Sequence, residues 1–364
     1  MTIKEICSFL EDIAPLSFQE DYDNAGLLAG DPDREAVNPL LCLDLTVPVM
    51  EEAIRRKSNF IIAHHPFLFR GIKKLVSGQP ETEILKNAFL HDIAVYAIHT
   101  NLDNAREGLN AFLFHKLGIS GYSVMVPKAG LLEKLTTFCP MEYAEKVRQA
   151  MFNAGAGKIG HYDSCSFNVA GKGTFRASEK ANPFVGEKNT LHFENELRIE
   201  VVFPSSLESE VIRSLLASHP YEEVAYDIYP LNNKLSSFGA GLIGELTRET
   251  DSSDFLDLVK TTLEVSSIRH TRLYGGKIKK VAICSGSGAF LIPEARRSGA
   301  DIFLTADLKY HDFFLADHKL ILADIGHYES EHWVKEWLYA ALIEKFPTFA
   351  FLISEINTNP VKYY

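Results

Sequence analysis

The chain has 364 residues, 46% of them hydrophobic, and a formal net charge of −11. Its length exceeds one typical core and predicts two domains. The acidic balance argues against a nucleic-acid partner, which needs clustered Lys and Arg, and no apolar stretch approaches membrane-spanning length.

Ile3, Ile6, Phe9 and Leu10 have amphipathic-helix spacing, not the pattern of a cleaved leader. A strand is expected over 40–45, a helix over 49–56 and a buried strand over 59–63. Helix 81–90, strand 93–98 and helix 105–117 follow. This alternation predicts a parallel sheet covered by helices.

Between about 126 and 235 the rhythm changes. Strand 134–139, helix 143–153, an apolar stretch at 166–169, strand 197–203, helix 208–218 and strand 225–229 give the order βαββαβ. That is the split-βαβ, ferredoxin-like plan. The first rhythm then returns with strand 280–284, the Ser285-Gly286-Ser287-Gly288 turn and helix 292–297. Strand 302–305, helix 312–316, strand 320–325 and a long helix from about Glu331 complete it. The expected architecture is α/β. Two pseudo-equivalent halves, 1–125 and 236–364, form one domain, interrupted by an α+β insert at 126–235. Cys7, Cys42, Cys139, Cys165 and Cys284 are odd in number and never in CxxC spacing. They predict reduced, mostly buried thiols in a cytoplasmic protein.

Polar residues gather where these strands end, which is where ligands sit in a parallel α/β sheet. His64 and His65 close one strand, and Pro66 keeps the second histidine extended. Neighbouring side chains on a strand diverge, so the pair suits two ions better than chelation of one. His99 and Asp103 follow the next strand. Thr305-Ala306-Asp307 and Asp324 to His327 close the matching strands of the second half. His327 and Glu331, four apart at a helix entry, stack on one face if helical. Each has a bland reading as well. Asp103 can be an N-cap, and Glu331 can answer the helix dipole. Glu329 and His332 are expected on the surface. His99 or His311 can carry protons or be structural. The Ser285–Gly288 turn can cradle a phosphate through its amides or be only a turn. Imidazole with carboxylate suits Zn, Fe, Mn, Co or Ni.

Several motifs in register carry a resemblance over essentially the whole chain. They are Tyr22-Asp23-Asn24-Ala25-Gly26-Leu27, Leu43-Asp44-Leu45-Thr46, Ala63-His64-His65-Pro66, His99-Thr100-Asn101-Leu102-Asp103, Lys309-Tyr310-His311-Asp312, and Gly326-His327 with Glu331. The chain resembles the GTP cyclohydrolase 1 type 2 homologues, the YbgI/YqfO-like proteins. The resemblance implies a dinuclear metal centre in a toroidal homohexamer. It places His65 and Asp103 on one ion, His64 and His327 on the other, Glu331 bridging both, and His99 either behind the ligands or facing the substrate. Ala306 and Ser285 stand where the family usually has glycine.

Gly171-Lys172-Gly173-Thr174-Phe175, Asn182-Pro183-Phe184-Val185-Gly186 and His219-Pro220-Tyr221-Glu222-Glu223 resemble the middle domain of the longer members. That domain is similar to the PII and CutA trimers. The implied activity is metal-dependent hydrolysis, GTP cyclohydrolase-like, of a nucleotide-like or other small polar substrate that the sequence leaves unnamed. The alternative is a ring-shaped regulatory or metal-handling protein without turnover. A DNA-encircling ring conflicts with the chain's charge.

Overall fold

The computed structural model describes residues 1–273 and 276–364. They fall into two compact units, one made of Met1–Pro127 with Ser236–Tyr364 and the other of Lys128–Leu235.

The larger unit contains two sheets. In the first, Leu40–Asp44, Phe60–His65 and Ala94–Ala97 run parallel. Gly26–Ala29 joins antiparallel at one edge and Leu352–Ile353 parallel at the other. In the second, Lys277–Ser287, Ile302–Ala306 and Ile321–Asp324 run parallel. Antiparallel Arg269–His270 and Lys234–Asp251 flank them, with Ile119–Ala129 outermost.

Apolar residues on both faces of these strands require cover on both sides. Alternate residues of the two sheets, Phe60 and Ile62 from one and Ile302 and Leu304 from the other, enter a shared core. Helices Ile3–Ile13, Leu109–Lys116, Ser252–Thr262 and Val334–Lys345 also feed it. Ile61 and Ala63 face an outer core with helices Val47–Arg55 and Pro80–Leu90. Phe303 and Leu322 face another with helix Ile292–Arg297. The first helix starts on a capping box, in which Thr2 N–H donates to Glu5 at 2.6 Å and Glu5 N–H to Thr2 Oγ1 at 3.3 Å.

The smaller unit is a four-stranded antiparallel sheet in the order Phe167–Arg176, Leu191–Pro204, Leu132–Pro140, Tyr226–Leu231. Helices Ala144–Asn153 and Glu208–Ser218 cover the face carrying Leu135, Ile199 and Val201. The chain order is βαββαβ. Four of the cysteines are buried thiols, Cys165 is partly buried, and none is in a disulfide. No helix among the described residues is long and apolar enough to cross a membrane.

Candidate metal centre

The strand Phe60–His65 explains how its two histidines separate. Phe60 and Ile62 point into the shared core, Ile61 and Ala63 into the outer one. His64 therefore continues the inner face and His65 the outer. His64 is fully buried, and its Nδ1–H donates to the Ile98 carbonyl at 2.7 Å. Its Nε2 is left as a lone pair. His65 shares a rung with Asp44, and its Nδ1–H donates to Asp44 Oδ1 at 2.7 Å. His327 opens the short helix His327–Glu331, and its Nδ1–H donates to Asp307 Oδ2 at 2.7 Å. Asp307, left-handed at φ 58°, is held in turn by the Ser287 hydroxyl. Carboxylates behind imidazoles fix the tautomer and aim the second nitrogen.

Glu331 is the hub. His65 Nε2 and His327 Nε2 each lie 2.9 Å from its Oε2. On the other side, His64 Nε2 is 3.6 Å from Asp103 Oδ1. Ligand atoms of His65, His327 and Glu331 form one group within 4.8 Å of one another, those of His64, Asp103 and Glu331 a second, and those of His64, His65 and His99 a third. This grouping of donor atoms differs from the pairing implied by the resemblance. Asp103 goes with His64 and His327 with His65, because pleat alternation sends His64 toward the turn Thr100–Asp103 and His65 away from it.

The donor set fits a metal. His64 Nε2 and Asp103 Oδ1 are buried without any hydrogen-bond partner, and Glu331 Oε2 faces only the two imidazole nitrogens at 2.9 Å. Orphaned buried lone pairs are costly, and a cation among them removes that cost. The electrostatics agree. Burial drives the His64 imidazole down to about 3. Burial and the Glu331 charge hold the Asp103 carboxyl well above its ordinary range. Burial opposes ionisation of Glu331 too, but His327 and His65 overcome it and hold that carboxyl well below its ordinary range. In the same way, contacts with Asp44 and Glu331 outweigh burial and raise His65 to about 10. Glu331 and Asp307 likewise raise His327 to about 9.

His99 stands on the rim, its ring 5.3 Å from those of both His64 and His65. Its Nδ1–H donates to Asp23 Oδ1 at 2.7 Å, and Asp23 also accepts from the Thr100 amide at 3.0 Å. Burial pushes Asp23 up, but His99 and Thr100 prevail and hold it at about 2. Exposed Tyr22 and Phe69 lie beside this pair, their rings 6.2 Å apart and Phe69 6.1 Å from His99.

Other expectations are corrected. Asp103 caps nothing, because the next helix begins at Leu109 behind Gly108. Glu329 is buried and accepts from Asn359 Nδ2 at 3.1 Å, and His332 is partly buried, stacked on Tyr328. His311 is exposed, packs with Tyr310 and Phe314, and joins none of the three groups. The Ser285 amide donates to Asn110 Oδ1 at 2.8 Å and the Gly286 amide to Ser330 Oγ at 3.0 Å, so neither is free for a phosphate. Gly286 has another task. A Cβ there would lie 2.1 Å from Glu331 Oε1, so the glycine lets Glu331 enter the pocket. The sequence reading missed Asp44, Asp307 and Asp23 as orienting residues. Their signal was an aspartate at a strand end or in a loop beside the histidine strands.

Parallel strands whose carboxyl ends bring four histidines and two carboxylates together define an α/β protein with a metal-competent centre. The chain belongs to the Duf34/NIF3 (NGG1p interacting factor 3) family, whose model matches residues 1–360. It is 38% identical over 370 residues to a Bacillus subtilis protein named GTP cyclohydrolase 1 type 2 homolog, with 99% of this chain and 98% of that one covered. A Staphylococcus epidermidis relative of the same name is 35% identical over 372 residues, with 100% of both covered. Among solved structures, a Bacillus cereus protein related to NIF3 matches with a TM-score of 0.84 at 35% identity, covering 100% of this chain and 99% of that one. A Staphylococcus aureus protein matches with a TM-score of 0.77 at 29% identity over the same shares.

Proposed function

We propose that this protein is a dinuclear metal-dependent hydrolase of a nucleotide-like or other small polar substrate. The observation that carries the reading is Glu331, common to two donor groups that otherwise consist of His65 with His327 and of His64 with Asp103. Five side chains for two divalent ions (Zn, Fe, Mn, Co or Ni) would leave coordination positions open, as catalysis requires. Bound there, the ions would supply a nucleophilic water at neutral pH and Lewis-acid polarisation of the group attacked.

The chain's own residues set up the rest. Asp44 and Asp307 hold His65 and His327 in the ligating tautomer. Asp23 holds His99 with its second nitrogen free to pass a proton to a leaving atom. Tyr22 and Phe69 offer a substrate an apolar rim. The name shared by the relatives suggests opening of the GTP purine ring, which needs hydroxide attack on an electrophilic ring carbon. A phosphoester or an amide would meet the same groups. A cytoplasmic, toroidal homohexamer with a PII/CutA-like insert belongs to this proposal. The non-enzymatic alternative, regulation or metal handling, draws on one observation, a large cavity within the 128–235 unit.

The test is turnover by metal-loaded protein across a panel of nucleotides, phosphoesters and amides. Glu331→Gln should lower any turnover at least 100-fold, roughly the loss expected when a shared electrostatic element is removed, with fold and oligomeric state retained. A silent panel in protein holding two ions would favour the regulatory reading.

A further inference from the structure

Three motifs of the 128–235 unit have no part in the metal centre, and all three line one cavity of about 800 Å³. They are Gly171-Lys172-Gly173-Thr174-Phe175, Asn182-Pro183-Phe184-Val185-Gly186 and His219-Pro220-Tyr221-Glu222-Glu223. Strand alternation places the cavity on the sheet face away from the helices. Leu197, Ile199 and Val201 pack with the helices, so Glu196 and Arg198 point the other way. Gly171 pairs with Glu196, and a Cβ on Gly173 would lie 2.0 Å from Glu196 Oε2. The two glycines leave a bare floor on which the glutamate lies, as strand glycines do where a ligand approaches.

Glu196 is only 8% exposed. The Tyr221 hydroxyl donates to its Oε1 at 2.8 Å, but no cation pairs with it among the described residues. Arg198, beside it on the same face, is engaged with Glu200 at 2.8 Å. His219 is committed as well. Its Nδ1 accepts from the Tyr221 amide at 3.1 Å and its Nε2–H donates to the Phe138 carbonyl at 3.0 Å, so it is neutral. A buried carboxylate without a counter-charge is unfavourable.

The walls are aromatic. Tyr221 lies 6.2 Å from Phe175 and 6.3 Å from Phe184 between ring centroids, and Tyr143 braces Phe184 edge-on at 5.3 Å. Glu222 pins the loop by accepting from the Asn182 amide at 2.8 Å. Aromatic faces attract cations, and although Lys172 and Arg176 also line the cavity, Glu196 is the charge buried on its floor.

We propose that this cavity binds a small organic cation. An amine, amidine or guanidinium on a flat or apolar body would meet Glu196 with its charge, and Phe175, Phe184 and Tyr221 with its body. Calorimetric titration of the full-length protein with benzamidine, agmatine and tyramine tests it, with benzoate and adenine as the anionic and neutral comparisons. The expected result is saturable binding of one molecule per chain for at least one cation and none for benzoate. Glu196→Gln should weaken it at least tenfold, and Phe184→Ala, on a half-exposed ring, several-fold with an unchanged melting temperature. Three things would overturn the assignment: no saturable cation, benzoate or adenine bound as tightly as the best cation, or unchanged affinity in Glu196→Gln. Should that variant not fold, unchanged affinity in Phe184→Ala would overturn it equally.

Discussion

Asp44 and Asp307 stand behind His65 and His327 and decide which nitrogen each presents to the pocket. Asp44→Asn and Asp307→Asn should each weaken metal binding about 10- to 100-fold, the usual cost of losing a group behind a ligand, as read by competition with a chelator. Proton linkage gives a second expectation. Without metal, His65 at about 10 and His327 at about 9 are protonated at neutral pH. Ligation must expel those protons, so affinity climbs as pH rises toward 9, by up to about two powers of ten per pH unit. Calorimetry in buffers of different ionisation enthalpy counts the protons released. An affinity flat between pH 6 and 8 would contradict the histidine–carboxylate contacts described. His64, His65, His99, Asp103, His327 and Glu331 stood out as candidates because strand ends are legible, and the structure gathers their donor atoms. How they pair was not legible, since it turns on which face of the pleat each histidine occupies. Asp44 was read only as part of a motif, because its role depends on sharing a rung with His65 on the neighbouring strand.

Among elements, the turn after the strand Lys277–Ser287 carries the sharpest constraint. Gly286 has φ 62° and abuts Glu331, whereas Gly118 has φ 72° with open space around it. Gly118→Ala should cost only the left-handed backbone penalty, about 1–2 kcal/mol. Gly286→Ala should pay that penalty, displace Glu331 and lose metal, which chemical denaturation and metal analysis of the two variants would separate. Equal behaviour of both would show that Glu331 does not need the glycine. The spacing of His327 and Glu331 was readable as one helical turn, and the structure has that turn. Several strands were not anticipated in full. Gly26–Ala29 is only four residues long, and of the strand Phe167–Arg176 only the start was read, as an apolar stretch at 166–169, because the strand is exposed or half-exposed throughout. The helix Ser252–Thr262 did carry a signal, since Phe255, Leu256 and Val259 are its buried stripe.

At the scale of the molecule, donor side chains from residues 64–103 meet donor side chains from residues 327–331 because the two sheets of the larger unit share one core. The repeated strand–helix order predicted parallel strands, and each of the two sheets has three. Periodicity says which face of a strand is apolar but not which sheet it meets, so the common helical layer between the sheets was beyond it. The βαββαβ order of the 128–235 unit was readable for the opposite reason. Its two helices are amphipathic and its long strand Leu191–Pro204 alternates, so local pattern sets the layers.

Anomalous diffraction from crystals grown with manganese or zinc, collected on both sides of the absorption edge, tests the shared pocket most directly. Two peaks are expected in each chain, one bounded by His65, His327 and Glu331 and the other by His64, Asp103 and Glu331. An empty pocket in metal-replete crystals, or a single peak that leaves His64 and Asp103 unligated, would contradict it.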